Sequence, residues 1–108
     1  MAIMAIYTAN GFSTDDYDRV RDVIGWEADP PPGCVLHLLG QDAFGLCNLE
    51  LWESEELFDA YVRDRFMPAF DKLGAPYPPA PRIMAVYNAL QLRDAEAIVP
   101  FRETRAFA

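Results

Sequence analysis

Basic residues are scarce in this sequence: nine lysines and arginines stand against seventeen acids, a formal net charge of -8 over 108 residues. A phosphate backbone or an anionic lipid surface would be repelled at long range, so neither nucleic acid nor membrane is expected as a partner. Histidine occurs once, at His37, and cysteine twice, at Cys34 and Cys47. That is too few for a disulfide framework, and the spacing fits neither a Cys-x-x-Cys redox motif nor a zinc site. Both thiols are therefore expected to be free and buried, in a reducing compartment. Haem would have only His37 as an axial ligand, and the acid pairs Asp15-Asp16 and Glu55-Glu56 sit where helix dipoles already account for them, so no metal or cofactor is expected. No apolar run approaches the roughly 20 residues of a membrane span. The start, Met1 to Tyr7, lacks the basic segment and cleavage site of a signal peptide, and a cytoplasmic chain is the expectation. Missing too are a glycine-rich phosphate cradle after a strand, a recognisable Ser or Cys nucleophile with its base, and a glycosidase-like carboxylate pair.

What the chain does have is the composition of an ordinary folded globule, 52% hydrophobic and 24% charged, in a length that suits one domain. Ile3 to Thr8 reads as a strand closed by Asn10-Gly11. Ser13 caps a helix whose buried stripe is Tyr17, Val20, Val23 and Ile24. Pro30-Pro31-Pro32-Gly33 then delivers the chain extended into two strands, Cys34 to Leu39 and Phe44 to Trp52, around a turn at Gly40 to Ala43. Ser54 caps a second helix carrying Phe58, Tyr61, Val62, Phe66, Ala69, Phe70 and Leu73, with a kink predicted near Met67 because of Pro68. After Gly74 and an extended Pro76 to Pro81, Ile83 to Leu90 supplies a fourth strand. Residues 1–90 form the domain, and residues 91–108 a tail, either a short helix over Leu92 to Val99 or a segment reaching over a neighbouring subunit.

The order strand, helix, strand, strand, helix, strand predicts an α+β, ferredoxin-like βαββαβ fold: a four-stranded antiparallel sheet, first and third strands central, with both helices on one face. Cys34, Leu36, Leu38, Cys47, Leu49 and Leu51 alternate with Val35, Leu39, Leu46 and Trp52, so both sheet faces are apolar while helices cover only one. A homodimer with its sheets face to face follows as the expectation.

Polar residues of the hairpin gather on one parity. A turn centred near Gln41-Asp42 pairs His37 with Leu46 and aims the His37 imidazole, Asn48 amide, Glu50 carboxylate and Trp52 indole to the same side; a one-residue slip would put His37 among Cys47 and Leu49. Polar groups directed into an apolar layer need partners or a task. Glu50 is read as a solvated edge residue or an interface partner for Arg82 or Arg93. Trp26, in the long first loop, is read as a lid or as a staple holding that loop down.

The Leu49-Glu50-Leu51-Trp52-Glu53-Ser54 junction, the helix Leu57-Phe58-Asp59-Ala60-Tyr61 and the Phe66-Met67-Pro68 kink resemble the dimeric α/β-barrel superfamily, most of all its antibiotic-biosynthesis-monooxygenase-like branch, over about residues 2–90. Cofactor-independent oxygenases of that branch carry an asparagine and a tryptophan four residues apart on the third strand, the spacing of Asn48 and Trp52. The resemblance implies a dioxygen-using reaction on an aromatic or polyketide-like substrate that loses a proton and then reduces dioxygen. Asn48 would hold the substrate oxyanion, Trp52 would pack on the ring and His37 would act as general base. Tyr7, Tyr61, Phe58, Phe66 and Tyr87 are candidate walls of a chamber for a hydrophobic small molecule. Two other functions stay open on the same residues: a cyclase or isomerase that needs no dioxygen, and a dimeric binding or stress-related protein without catalysis.

Overall fold

The computed structural model describes residues 1–93, and residues 94–108, most of the segment expected to form a tail, lie outside the described residues. Elements follow in the order β1 (Ile3–Ala9), α1 (Thr14–Ile24), β2 (Cys34–Asp42), β3 (Gly45–Trp52), α2 (Glu55–Tyr61), a π-helical turn (Val62–Phe66), α3 (Met67–Leu73) and β4 (Arg82–Ala85). The sheet runs β2-β3-β1-β4, with every neighbouring pair antiparallel. This is the ferredoxin-like arrangement expected from the sequence.

Local chemistry accounts for the helix ends. Ser13 accepts from the Asp16 N–H while the Asp16 carboxylate accepts from the Ser13 N–H, a reciprocal box that satisfies two otherwise orphaned donors. Ser54 does half of this for α2 by accepting from the Leu57 N–H at 3.2 Å. The bend expected from Pro68 takes a definite form. Pro68, the second residue of α3, has no N–H to donate, and the turn before the helix, Val62–Phe66, widens to π geometry rather than breaking. That turn is tied down: Arg65 donates to the Ile24 and Asp29 carbonyls, each at 2.7 Å, and so clamps the loop after α1.

The hairpin turn lies further along the chain than the sequence suggested. Asp42 pairs with Gly45, the turn is Ala43-Phe44, and Phe44 N–H donates to Asp42 Oδ1 at 2.8 Å. Gly45 fixes this position: its φ is +132°, and a Cβ there would stand 2.7 Å from the Ala9 carbonyl oxygen, so only glycine fits. Gly40, expected in the turn, continues β2. His37 consequently faces Glu50 rather than Leu46. The register has moved by an even number of residues, so each side chain keeps its face. A bulge between Cys34 and Leu36 swings Val35 outward, where it is 58% exposed, and turns Cys34 inward onto the core, the reverse of simple alternation.

β4 is shorter than the expected Ile83 to Leu90. It runs antiparallel to β1 with Ala85 opposite Ile3, and the last bond is Val86 N–H to the Ala2 carbonyl at 2.9 Å. Beyond that point the partner strand has ended, and residues 86–93 carry no regular structure. The core is the inward face of the sheet, Ile3, Ala5, Tyr7 and Trp52, packed under Val20 and Ile24 of α1 and under Phe58, Tyr61, Phe66, Ala69 and Phe70. The other face presents Met4, Ile6, Leu36, Leu38, Leu49, Leu51 and Met84, half-buried except Leu38, which is exposed.

Candidate functional site

Alternation along β3 sends Asn48, Glu50 and Trp52 inward together. Glu50 is 1% exposed, a carboxylate at the centre of an apolar core, and its surroundings explain how it can sit there. Trp52 Nε1–H donates to Oε1 at 3.0 Å and Asn48 Nδ2–H donates to Oε2 at 3.1 Å. From the facing strand, His37 Nδ1 comes within 3.2 Å of Oε2, close enough for electrostatic attraction but out of line for a hydrogen bond. The other ring nitrogen, Nε2, lies 2.6 Å from the Tyr17 hydroxyl on α1. With its proton on Nδ1, toward the carboxylate, the imidazole accepts from Tyr17 at Nε2. Trp26 closes over the ring with centroids 4.1 Å apart, and its own Nε1–H donates to the Tyr61 hydroxyl at 3.1 Å. Trp26 is thus held at both its face and its edge, as a staple.

A polar chain therefore runs Tyr17, His37, Glu50, Asn48 and Trp52 through the core. Its electrostatics are those of a dry site. Burial, reinforced by the Glu50 charge, drives the Tyr7 and Tyr61 phenols well above their ordinary pKa, and burial does the same at Tyr17. The Cys34 thiol is pushed up to about 11 by burial and then by Glu50. The expectation that both thiols are buried holds only for Cys34, which is half-buried; Cys47 points from the uncovered face into solvent, and both are free.

Beside this chain lies an apolar chamber of about 50 Å³, walled by Tyr7, Tyr17, Trp26, Asn48, Phe66 and Phe70 among others. Asn48 Oδ1 is buried and has no hydrogen-bond partner. Ala9, Phe12 and Pro78 also line the chamber, and the same three residues line a wider and more polar cavity of about 370 Å³ between the Asn10-Gly11 turn and Pro76-Tyr77-Pro78-Pro79. Ala9, Phe12 and Pro78 are thus shared between a smaller, apolar chamber and a wider cavity beside it.

Of the residues singled out in the sequence, Tyr7, Phe66 and Asn48 line the chamber. His37 stands behind Tyr17 rather than at the wall. Trp52, Phe58 and Tyr61 are buried against one another, Trp52 with no exposure at all, and form the floor beneath Glu50 rather than a wall of the chamber. Tyr87 is fully exposed past the end of β4, because the strand that would have carried it inward stops at Ala85. Glu50 is neither an edge residue nor an interface partner, since it shares its parity with Ala5 and Trp52 at the centre of the sheet. In the sequence Tyr17 stands out only as one member of the apolar stripe of α1. The signal was available in its chemistry: a tyrosine in a buried helical stripe brings a hydroxyl that needs a partner, and one polar group on the opposing hairpin is His37.

No protein-family profile matches the chain, and no curated protein matches it in sequence. Solved structures do match in shape. Rv0793 of Mycobacterium tuberculosis superposes with a TM-score of 0.57 at 17% identity, over 83% of this chain and 97% of its own. A protein named "putative antibiotic biosynthesis monooxygenase" from Deinococcus radiodurans gives 0.55 at 16% identity, over 87% of this chain and 100% of its own. The chain shares the ferredoxin-like α+β fold of these structures. MhuD, solved as a mutant with two manganese protoporphyrin IX molecules per active site, shares this fold at a TM-score of 0.53 and 19% identity, over 83% of this chain and 96% of its own.

Among the described residues no imidazole nitrogen is open to an iron of the kind a porphyrin carries: His37 Nε2 is taken by Tyr17 and Nδ1 faces Glu50. Among the described residues no cluster of three His, Cys, Asp or Glu side chains could hold a metal ion, and no helix is long and apolar enough to cross a membrane.

Proposed function

We propose that the chain is a cofactor-independent monooxygenase for a flat phenolic or enolic compound of polyketide type. Asn48 carries this reading: an acceptor buried without a partner at the wall of an apolar chamber costs about 1–3 kcal/mol, and a ligand hydroxyl removes that cost. The second N–H of the same amide then supports the oxyanion as it forms. His37, oriented by Glu50, is the final acceptor of the substrate's proton. The carbanion reduces dioxygen, the resulting hydroperoxide loses water, and a methylene becomes a carbonyl with one oxygen atom in each product. Trp52 serves by holding Glu50 in place. A benzene-sized guest needs a cavity of roughly 150 Å³, so this reading requires the chamber to widen toward the larger cavity with which it shares Phe12 and Pro78.

Dioxygen uptake by the purified protein with a panel of anthrones and quinols tests this. Asn48→Ala is expected to lower kcat by about 10²- to 10³-fold. Uptake at background, or an Asn48→Ala variant equal to wild type, defeats the proposal. One observation favours a second reading, a ligand-binding protein: both ring nitrogens of His37 already face protein groups. Saturable binding of the same compounds without turnover, aerobic or anaerobic, would select it, whereas anaerobic turnover would select a cyclase or isomerase.

The proposal includes a homodimer joined across the uncovered sheet face. Cys47 lies on that face and Cys34 on the other, which provides an internal control. Alkylation of Cys47 is expected to be fast in dilute protein and slow in concentrated protein, while Cys34, half-buried and with its thiol pushed up to about 11, stays slow in both. Cys47 reactivity independent of concentration, together with a monomer by light scattering at micromolar concentration, would contradict the dimer.

A further inference from the structure

We propose that Tyr17 is the catalytic residue that meets the substrate, and that His37 acts only through it. This deepens the oxygenase reading above and rests on it for the identity of the substrate. Tyr17 and Asn48 both line the chamber, and His37 does not. The Tyr17 hydroxyl stands 2.6 Å from His37 Nε2, Trp26 covers the ring with centroids 4.1 Å apart, and Glu50 occupies the Nδ1 side. A proton leaving the chamber for Nε2 therefore crosses the Tyr17 oxygen. The two chamber-facing groups are ends of one chain: Tyr17 bonds to His37, His37 faces Glu50, and Glu50 accepts from Asn48.

The step balances without any further reactant. The acidic C–H bond of the substrate breaks and its proton forms a new O–H bond on Tyr17, as the original Tyr17 proton moves to His37 Nε2. The electron pair stays on the substrate as a carbanion delocalised onto a conjugated carbonyl oxygen that accepts from the Asn48 amide N–H. His37 becomes an imidazolium whose Nδ1–H faces the Glu50 carboxylate, so the new positive charge arises beside a buried negative one. Burial, which keeps the Tyr17 phenol neutral, makes it a conduit with no tendency to rest as a phenolate. The substrate class narrows accordingly: a flat ketone of anthrone type whose acidic methylene is conjugated to the carbonyl held by the Asn48 N–H, with any hydroxyl beside that carbonyl donating to Asn48 Oδ1.

Hydrogen–deuterium exchange at the methylene of anthrone, under argon in deuterated buffer, reads this step without dioxygen. The wild-type protein is expected to accelerate exchange above buffer. Tyr17→Phe is expected to slow the catalysed exchange by roughly 10²-fold or more while anthrone Kd moves by less than about threefold. His37→Gln loses as much, and the double variant loses no more than either single one, because both residues serve one path. Difluorotyrosine at position 17 keeps the shape and changes only the acidity of the hydroxyl, so the relay requires it to alter the exchange rate even if Tyr17→Phe folds poorly. Wild-type exchange at the buffer rate overturns the relay. So does an unchanged rate in Tyr17→Phe or in the fluorinated protein. The oxygenase reading fails separately: exchange with no dioxygen uptake keeps the relay and removes the oxygenase, whereas full uptake by Tyr17→Phe does the opposite.

Discussion

Glu50→Ala is expected to destabilise the fold by about 3–5 kcal/mol. The loss does not come from a missing attraction alone. The carboxylate is 1% exposed and is the common acceptor for Asn48 Nδ2 and Trp52 Nε1, with His37 Nδ1 drawn up beside it. Truncation leaves two donors, Asn48 Nδ2 and Trp52 Nε1, without their acceptor in a dry core, each carrying its own desolvation penalty, and removes the charge beside His37 Nδ1. Urea denaturation followed by tryptophan fluorescence measures the change. Glu50→Gln keeps an acceptor oxygen for one donor and should fall between wild type and Glu50→Ala. A Glu50→Ala protein as stable as wild type would mean that these donors reach other acceptors, and the polar chain would lose its organising centre.

Trp52→Ala ranks beside it, also at about 3–5 kcal/mol, for a different reason. The indole is fully buried, with its centroid 4.9 Å from that of Tyr61 and 5.6 Å from that of Phe58, and alanine would leave a void beneath the sheet. Trp52→Phe separates volume from hydrogen bonding: it fills most of the space and gives up one bond to Glu50, at about 1–3 kcal/mol. Because Trp52 stands outside the chamber, Trp52→Phe should leave ligand Kd close to wild type. A folded Trp52→Phe protein that no longer binds ligand would place the indole against the substrate after all. Both losses read on denaturation curves, and their difference separates the hydrogen bond from the packing.

The backbone plan was legible because each element carries its own signal. Ser13 and Ser54 announce helix starts, the β1 and β3 alternation fixes which side chains enter the core, and Pro68 marks the bend. Gly40 looks like a turn residue in the sequence, while the decisive constraint on the hairpin is a close approach of Gly45 to the Ala9 carbonyl on another strand, a contact with no local signature. His37, Asn48, Glu50 and Trp52 share a face in either register, because the two differ by an even number of residues. β4 ended early for a reason written at the far end of the chain, where β1 begins. Strand parity can show that Glu50 points inward, but not that His37, Asn48 and Trp52 converge on it, nor that Tyr17 descends from α1 onto His37. Those contacts depend on how the helix layer sits over the sheet.

The most direct measurement is a dioxygen-electrode trace of the purified wild-type protein and its Asn48→Ala variant with anthrone. The account predicts saturable consumption by the wild type and a rate about 10²- to 10³-fold lower for the variant. Equal traces from the two proteins, or none above the uncatalysed drift, would contradict it.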